Sequence, residues 1–241
     1  MLGLDTATPA TAVAAWAPDG PAVERRDDPP SGQRPAHAAR LLVLVEEALA
    51  AADAGWEDVE RLAVGVGPGG FTGLRIGIAT ARALAQARGL PLVGVSSLAA
   101  LAAGAGADPP PARAGADPPP ARAGADPGRA VAAVIDARRG EVFAAAWSRG
   151  DQVLETAALD PRALAARLGR PPLQSPLAVG DGAVRFRHEL AGAAIPPDGS
   201  PLHRVSALQV CRLGAAGTPA GRGALLPDYR REPDAKPPRL P

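Results

Sequence analysis

One pattern, present twice, restricts the fold of this chain more than any other feature. Leu4-Asp5 leads through a short turn into Ala12-Val13-Ala14-Ala15-Trp16, and Ile135-Asp136 leads through another into Phe143-Ala144-Ala145-Ala146-Trp147, with equal spacing from Asp to Trp. Each copy reads as a strand ending in Asp, a tight turn and a second strand, because the apolar runs are short and bounded by turn residues. A unit repeated in this way implies a duplicated α/β architecture with two similar lobes. At 241 residues the chain can build one large core or two small ones.

The remaining periodicity fills in both lobes. Strands are expected at Leu2–Thr6, Thr11–Trp16, Arg61–Val66 and Pro91–Val95, with helices at Ala36–Asp53, Phe71–Ala87 and from Ser97 to Ala103. The centre of the first helix, Leu41-Leu42-Val43-Leu44-Val45, is apolar all round and calls for burial on more than one side. Ordered sequence resumes with strands at Ala130–Asp136 and Glu141–Ser148, the segment Gln152–Leu159, a helix at Arg162–Leu168 and a strand at Leu177–Gly180. A helix near Arg185–Ala191 and a last helix over Ser206–Ala216 complete the series. Between the halves, Ala105–Arg113 recurs as Ala114–Arg122; so Pro- and Gly-rich a tandem cannot bury a core and is expected to be a disordered, polyproline-biased loop. The organisation is therefore a first lobe over 1–103, an insert over 104–128, a second lobe over 129–217 whose final helix can pack back on the first, and an extended tail over 218–241.

Composition excludes several functions. Aromatic residues make up 3% of the chain, so the core must come from Ala, Val, Leu and Ile. A net charge of +1 supplies no field to draw in nucleic acid or a membrane surface. Lys236 is the single lysine and lies in the tail, which leaves none for a phosphate loop or a Schiff base. Cys211 sits in an apolar helical stretch and reads as buried filler in a reducing compartment. The opening residues show no basic and then apolar leader, and no run is long enough for a membrane helix.

The densest motif is Gly65-Val66-Gly67-Pro68-Gly69-Gly70-Phe71-Thr72-Gly73-Leu74-Arg75. Gly65, Gly67 and Gly70 satisfy the dinucleotide-loop spacing, yet no acid stands between Glu60 and Asp108 to hold a ribose, and no Gly-Lys-Ser/Thr follows for a triphosphate. What remains is a turn that lets backbone approach backbone, with Thr72 as the candidate helix cap. Gly73, Gly77 and Ala81 recur every four residues and form a small stripe against which another element can pack closely, while Arg75 and Arg82 flank it.

Strand-Asp-turn-strand opening each lobe is the pattern of the actin-like ATPase and sugar-kinase superfamily. More specifically, Leu2–Thr8, the Gly65–Gly77 block, Pro91–Leu98, Ile135–Val142 and Pro227-Asp228-Tyr229-Arg230-Arg231 resemble the TsaB family of tRNA threonylcarbamoyladenosine biosynthesis proteins. The resemblance covers nearly the whole chain outside the Pro/Gly insert. It implies an actin-like (ASKHA, ribonuclease H-like) α/β fold of two lobes. It also implies a non-catalytic role, as a heterodimer with the catalytic paralogue TsaD, which transfers a threonylcarbamoyl group to a tRNA adenosine. A TsaE-like ATPase would join the larger complex, a homodimer would form when the chain is alone, and tRNA would be contacted only indirectly, in the cytoplasm.

Site expectations follow from the same comparison. The catalytic paralogue carries a His-x-x-x-His metal pair where this chain has Ser97 and Leu101, so no metal is expected, and His37, His188 and His203 are scattered. A partner face is expected on the first two long helices, at His37, Arg40, Leu41 and Leu44 and at Gly73, Leu74, Gly77, Ile78, Ala81 and Arg82. Asp5 and Asp136 stand either as nucleotide-site aspartates or as caps of their own turns; the turn Asp5-Thr6-Ala7-Thr8 lacks the glycine that wraps a phosphate. No cofactor is expected on this chain alone, with ATP or ADP at the joint interface of a complex. Two competing readings remain: a free-standing ATPase or small-molecule kinase, and a direct tRNA binder through Arg75, Arg82, Arg88 and Arg230–Arg231.

Overall fold

A computed structural model describes residues 1–30, 32–106, 129–220 and 225–230. The nine-residue tandem beyond residue 106 and the tail beyond residue 230 lie outside the described residues. In the first lobe, β1 (Leu2–Asp5), β2 (Thr11–Trp16) and β3 (Ala22–Asp27) form an antiparallel meander. Helix α1 (His37–Ala51) then crosses to β4 (Leu62–Gly67), which lies parallel to β1, and α2 (Phe71–Arg88) crosses to the edge strand β5 (Leu92–Ser96). The sheet order is β3-β2-β1-β4-β5.

After α3 (Ser97–Gly104) the second lobe repeats the plan. An antiparallel meander of β6 (Val131–Arg138), β7 (Glu141–Ser148) and β8 (Asp151–Leu159) leads through α4 (Pro161–Leu168) to β9 (Leu177–Val179), parallel to β6, and then α5 (Asp181–Arg185). Its order, β8-β7-β6-β9, matches β3-β2-β1-β4 strand for strand. The duplicated α/β unit is thus present in the connectivity itself.

Helices α3 and α6 (Ala207–Ala216) fill the space between the sheets. Leu98 and Leu101 of α3 and Val210 of α6 share one core with Val93 and Val95 of the first sheet and Ile135, Phe143 and Trp147 of the second. Two outer cores complete the lobes, one under α1 and α2, the other under α4 and α5. Small side chains permit close approach in place of large ones. Cys211 is fully buried with Sγ 3.6 Å from the Ala14 carbonyl oxygen, and a Cβ at Gly3 would stand 2.5 Å from that sulfur.

Several local expectations differ from the structure. Strand β3 was not expected, because Glu24, Arg25 and Arg26 break apolar alternation; it is an edge strand, where charge protects an open ladder. The helix expected near Arg185–Ala191 lies earlier, at Asp181–Arg185, following Gly180, whose φ of +112° only glycine adopts without strain. Thr72 is not a cap: α2 begins at Phe71 after Gly70 and no side chain caps it. Helix α1 buries Leu41, Leu44, Val45, Ala48 and Leu49 on one side, and leaves Leu42 52% and Val43 43% exposed on the other.

Candidate functional site: the cleft between the lobes

The two Asp-bearing turns meet at a cleft of about 1000 Å³. Its first wall is the Thr6–Pro9 turn with the amino end of α2, and its second is Ile135–Arg139 with Asp181. The last described residues, Asp228–Arg230, close one side. Arginines 34, 75, 138, 139 and 230 mark the rim.

Asp5 lies beneath this surface rather than in it. Its Oδ1 accepts from the Ala7 amide at 2.9 Å and its Oδ2 accepts from Ser97 Oγ at 2.6 Å. Gly65 packs against the carboxylate so closely that a Cβ there would overlap Oδ2. Burial pushes the Asp5 pKa up, against the hydrogen bonds from Ser97 and Ala7, which pull it down. Asp136 faces the cleft: Oδ1 accepts from the Arg138 amide at 2.8 Å, and Oδ2 pairs with Arg185 at 2.9 Å and Arg138 at 3.3 Å. Both aspartates therefore cap their own turns. Asp181 accepts from the Asp136 amide at 3.0 Å, and burial raises its pKa.

The glycine segment joins the first Asp turn to α2. The Gly70 amide donates to the Ala7 carbonyl at 2.7 Å, and Thr6 Oγ1 donates to the Gly73 carbonyl at 2.8 Å. A Cβ at Gly73 would overlap the Thr6 carbonyl, and one at Gly77 would overlap Thr6 Oγ1. The stripe thus accommodates the Asp5–Thr8 turn. His37 is a tertiary pin rather than a cap, with Nδ1 at 2.8 Å from Thr11 Oγ1; burial lowers its pKa, while the Asp27 charge opposes that shift.

These contacts revise the expected partner face. Leu41, Leu44, Gly73, Leu74, Gly77, Ile78, Ala81 and His37 are all buried inside the first lobe, where β1, β2 and the Asp5 turn already occupy the stripe. Arg40 and Arg82 reach solvent, as do Leu42 and Val43 of α1, which sequence reasoning passed over as core. Ser97 donates its hydroxyl to Asp5, and Leu101 is fully buried between the sheets. Among the described residues no group of three metal-binding side chains assembles, and no helix is long and apolar enough to cross a membrane.

Duplicated lobes closing on a cleft between paired Asp turns define a two-lobed actin-like α/β protein. The family described as TsaD, tRNA N6-adenosine threonylcarbamoyltransferase, matches residues 29–176, and the chain belongs to that family. The Escherichia coli tRNA threonylcarbamoyladenosine biosynthesis protein TsaB is 36% identical over 151 residues, which cover 63% of this chain and 56% of that protein. An uncharacterized Mycobacterium tuberculosis protein is 32% identical over 250 residues, covering 98% of this chain and 94% of the relative. Among solved structures, YeaZ from Pseudomonas aeruginosa superposes with a TM-score of 0.67 at 28% identity, covering 95% of this chain and 98% of its own. A second Pseudomonas aeruginosa structure, of an uncharacterized protein with similarity to peptidase YeaZ, reaches 0.72 at the same 28% identity over 95% and 98% of the chains.

Proposed function

We propose that the chain serves tRNA threonylcarbamoyladenosine synthesis as the non-catalytic partner subunit that binds and activates a TsaD-type catalytic subunit. The observation that carries this reading is the commitment of Ser97 and Asp5 to each other in the core, at a position where the resemblance to the catalytic paralogue implies the first of its metal-binding histidines. The TsaB name of the Escherichia coli relative supports it. The docking face comprises the outer sides of α1 and α2, centred on Leu42 and Val43 with Arg40 and Arg82 at its margin. A second copy of the chain takes that face when the partner is missing. A TsaE-like ATPase joins the assembly, with ATP or ADP at the joint interface, and tRNA is engaged through the partner in the cytoplasm.

Titration of the purified catalytic subunit into the chain tests the face. Leu42→Asp with Val43→Asp should weaken binding by about thirtyfold or more, the loss of one strong interface anchor. Unchanged affinity would remove the face from these helices. The cleft, with Asp136 on its wall, favours one competing reading, a free-standing ATPase or small-molecule kinase. Nucleotide binding and ATP hydrolysis by the pure chain would establish that reading, and the absence of both would dismiss it.

A further inference from the structure

The last described residues do more than trail from the second lobe. Beyond α6 the Ala220 amide donates to the Leu92 carbonyl of the edge strand β5 at 2.9 Å. Leu225, 7% exposed, then settles over Gly94, whose missing Cβ would stand 2.5 Å from Leu225 Cδ1. The Asp228 amide donates to the Val66 carbonyl at 2.8 Å. From that point the segment leaves the sheet and reaches the amino end of α2. There the Tyr229 ring stacks on Phe71, with centroids 5.3 Å apart and planes 30° from parallel. Arg75 joins them: its guanidinium carbon is 3.7 Å from the Phe71 centroid, and its Nε donates to the Tyr229 hydroxyl at 2.9 Å.

The segment is held unequally along its length. Its base, Leu225, is dry, whereas Leu226, Tyr229 and Phe71 are 69%, 45% and 47% exposed. A wet aromatic stack and an exposed cation–π contact are weak fastenings compared with a buried side chain. Segments that open locally are those with few buried apolar contacts and solvent-facing backbone hydrogen bonds. The tip also borders the cleft, since Asp228, Tyr229 and Arg230 line it together with Phe71 and Arg75.

We propose that residues 226–230 form a strap hinged at Leu225 and latched by the Phe71–Arg75–Tyr229 stack, which opens and closes over the amino end of α2 and so governs access to the cleft. Tyr229 is the single tyrosine of the chain, so fluorotyrosine incorporated into the full-length protein gives one fluorine resonance that reports the latch alone. In the latched protein that resonance is displaced from its position in the urea-unfolded chain. Phe71→Ala should bring it towards the unfolded position. The same variant should speed hydrogen exchange of the Asp228 amide roughly three- to tenfold, the worth of one aromatic contact, and leave the β5 amides as slow as before. A resonance already at the unfolded position in the wild type, or an unchanged Asp228 rate in Phe71→Ala, would overturn the latch.

Access is measured separately, by maleimide labelling of a Thr8→Cys chain, because Thr8 lines the cleft and Cys211 is fully buried with its thiol pushed up to about 12. Adding Leu225→Ala, a position outside the cleft wall, should raise the labelling rate severalfold. Equal rates with and without Leu225→Ala would show that the strap does not gate the cleft.

Discussion

Asp5 is a carboxylate placed where water cannot reach it, 1% exposed, with two donors for company. Burial dominates and raises its pKa above the ordinary 3.8, so the folded chain holds this proton to a higher pH than the unfolded chain does. Stability from this group is therefore lost as pH rises from 3.8 through the folded value, and the cost is complete above it. Asp5→Asn keeps an acceptor for the Ala7 amide and removes the charge. Denaturation curves between about pH 4 and 8 should show the variant gaining on the wild type as pH rises; a difference that does not change with pH contradicts the account. His37 carries the opposite sign. Its pKa is lowered by burial, so stability is lost as pH falls below the ordinary 6.5, and His37→Gln should flatten that part of the profile. The Asp5 turn cap was legible because its donor is two residues away, whereas Ser97 is 92 residues distant and only the fold brings it there.

At the scale of elements, α2 shows what a pattern of small residues can and cannot say. Four-residue spacing of Gly73, Gly77 and Ala81 marks close approach, but not of what. The neighbour turned out to be Thr6 of the same lobe, and Leu41 and Leu44 of α1, also expected on a partner face, are buried inside that lobe. Gly77→Ala should cost about 1–3 kcal/mol in urea denaturation, because the added methyl overlaps Thr6 Oγ1. Combining it with Thr6→Ala should recover part of that loss; strictly additive costs would show that the two positions do not touch. Most strands and helices were legible to within two or three residues, because β1, β2, β6 and β7 are apolar runs of strand length. Strand β3 was not, since its pairing with β2 is what makes AVERRD a strand.

At the scale of the molecule, the shared core decides how the lobes behave. Leu98, Leu101 and Val210 bury against both sheets, and Arg26 of β3 donates to the Val205 carbonyl at 2.7 Å while Glu24 accepts from Ser206 Oγ at 2.8 Å. Lobes joined by a buried core and a network at its margin should melt together. Calorimetry and far-ultraviolet dichroism should give one transition; two resolved transitions would mean that α3 and α6 do not couple the sheets. The duplication behind this arrangement was legible from the recurring Asp and Trp, because strand, turn and strand are local. The cleft residues brought in from the carboxyl end were not, because nothing local says where Tyr229 lands.

The proposed role as a non-catalytic partner subunit is tested most directly by omission. Threonylcarbamoyladenosine formed on tRNA would be quantified in a reconstituted system with the chain present, absent, or replaced by the Asp5→Asn, Asp136→Asn double variant. Product that requires the chain but tolerates a double variant that still folds and binds its partner is the predicted result. Product that forms equally well without the chain, or that fails with a folded and partner-bound double variant, would contradict it.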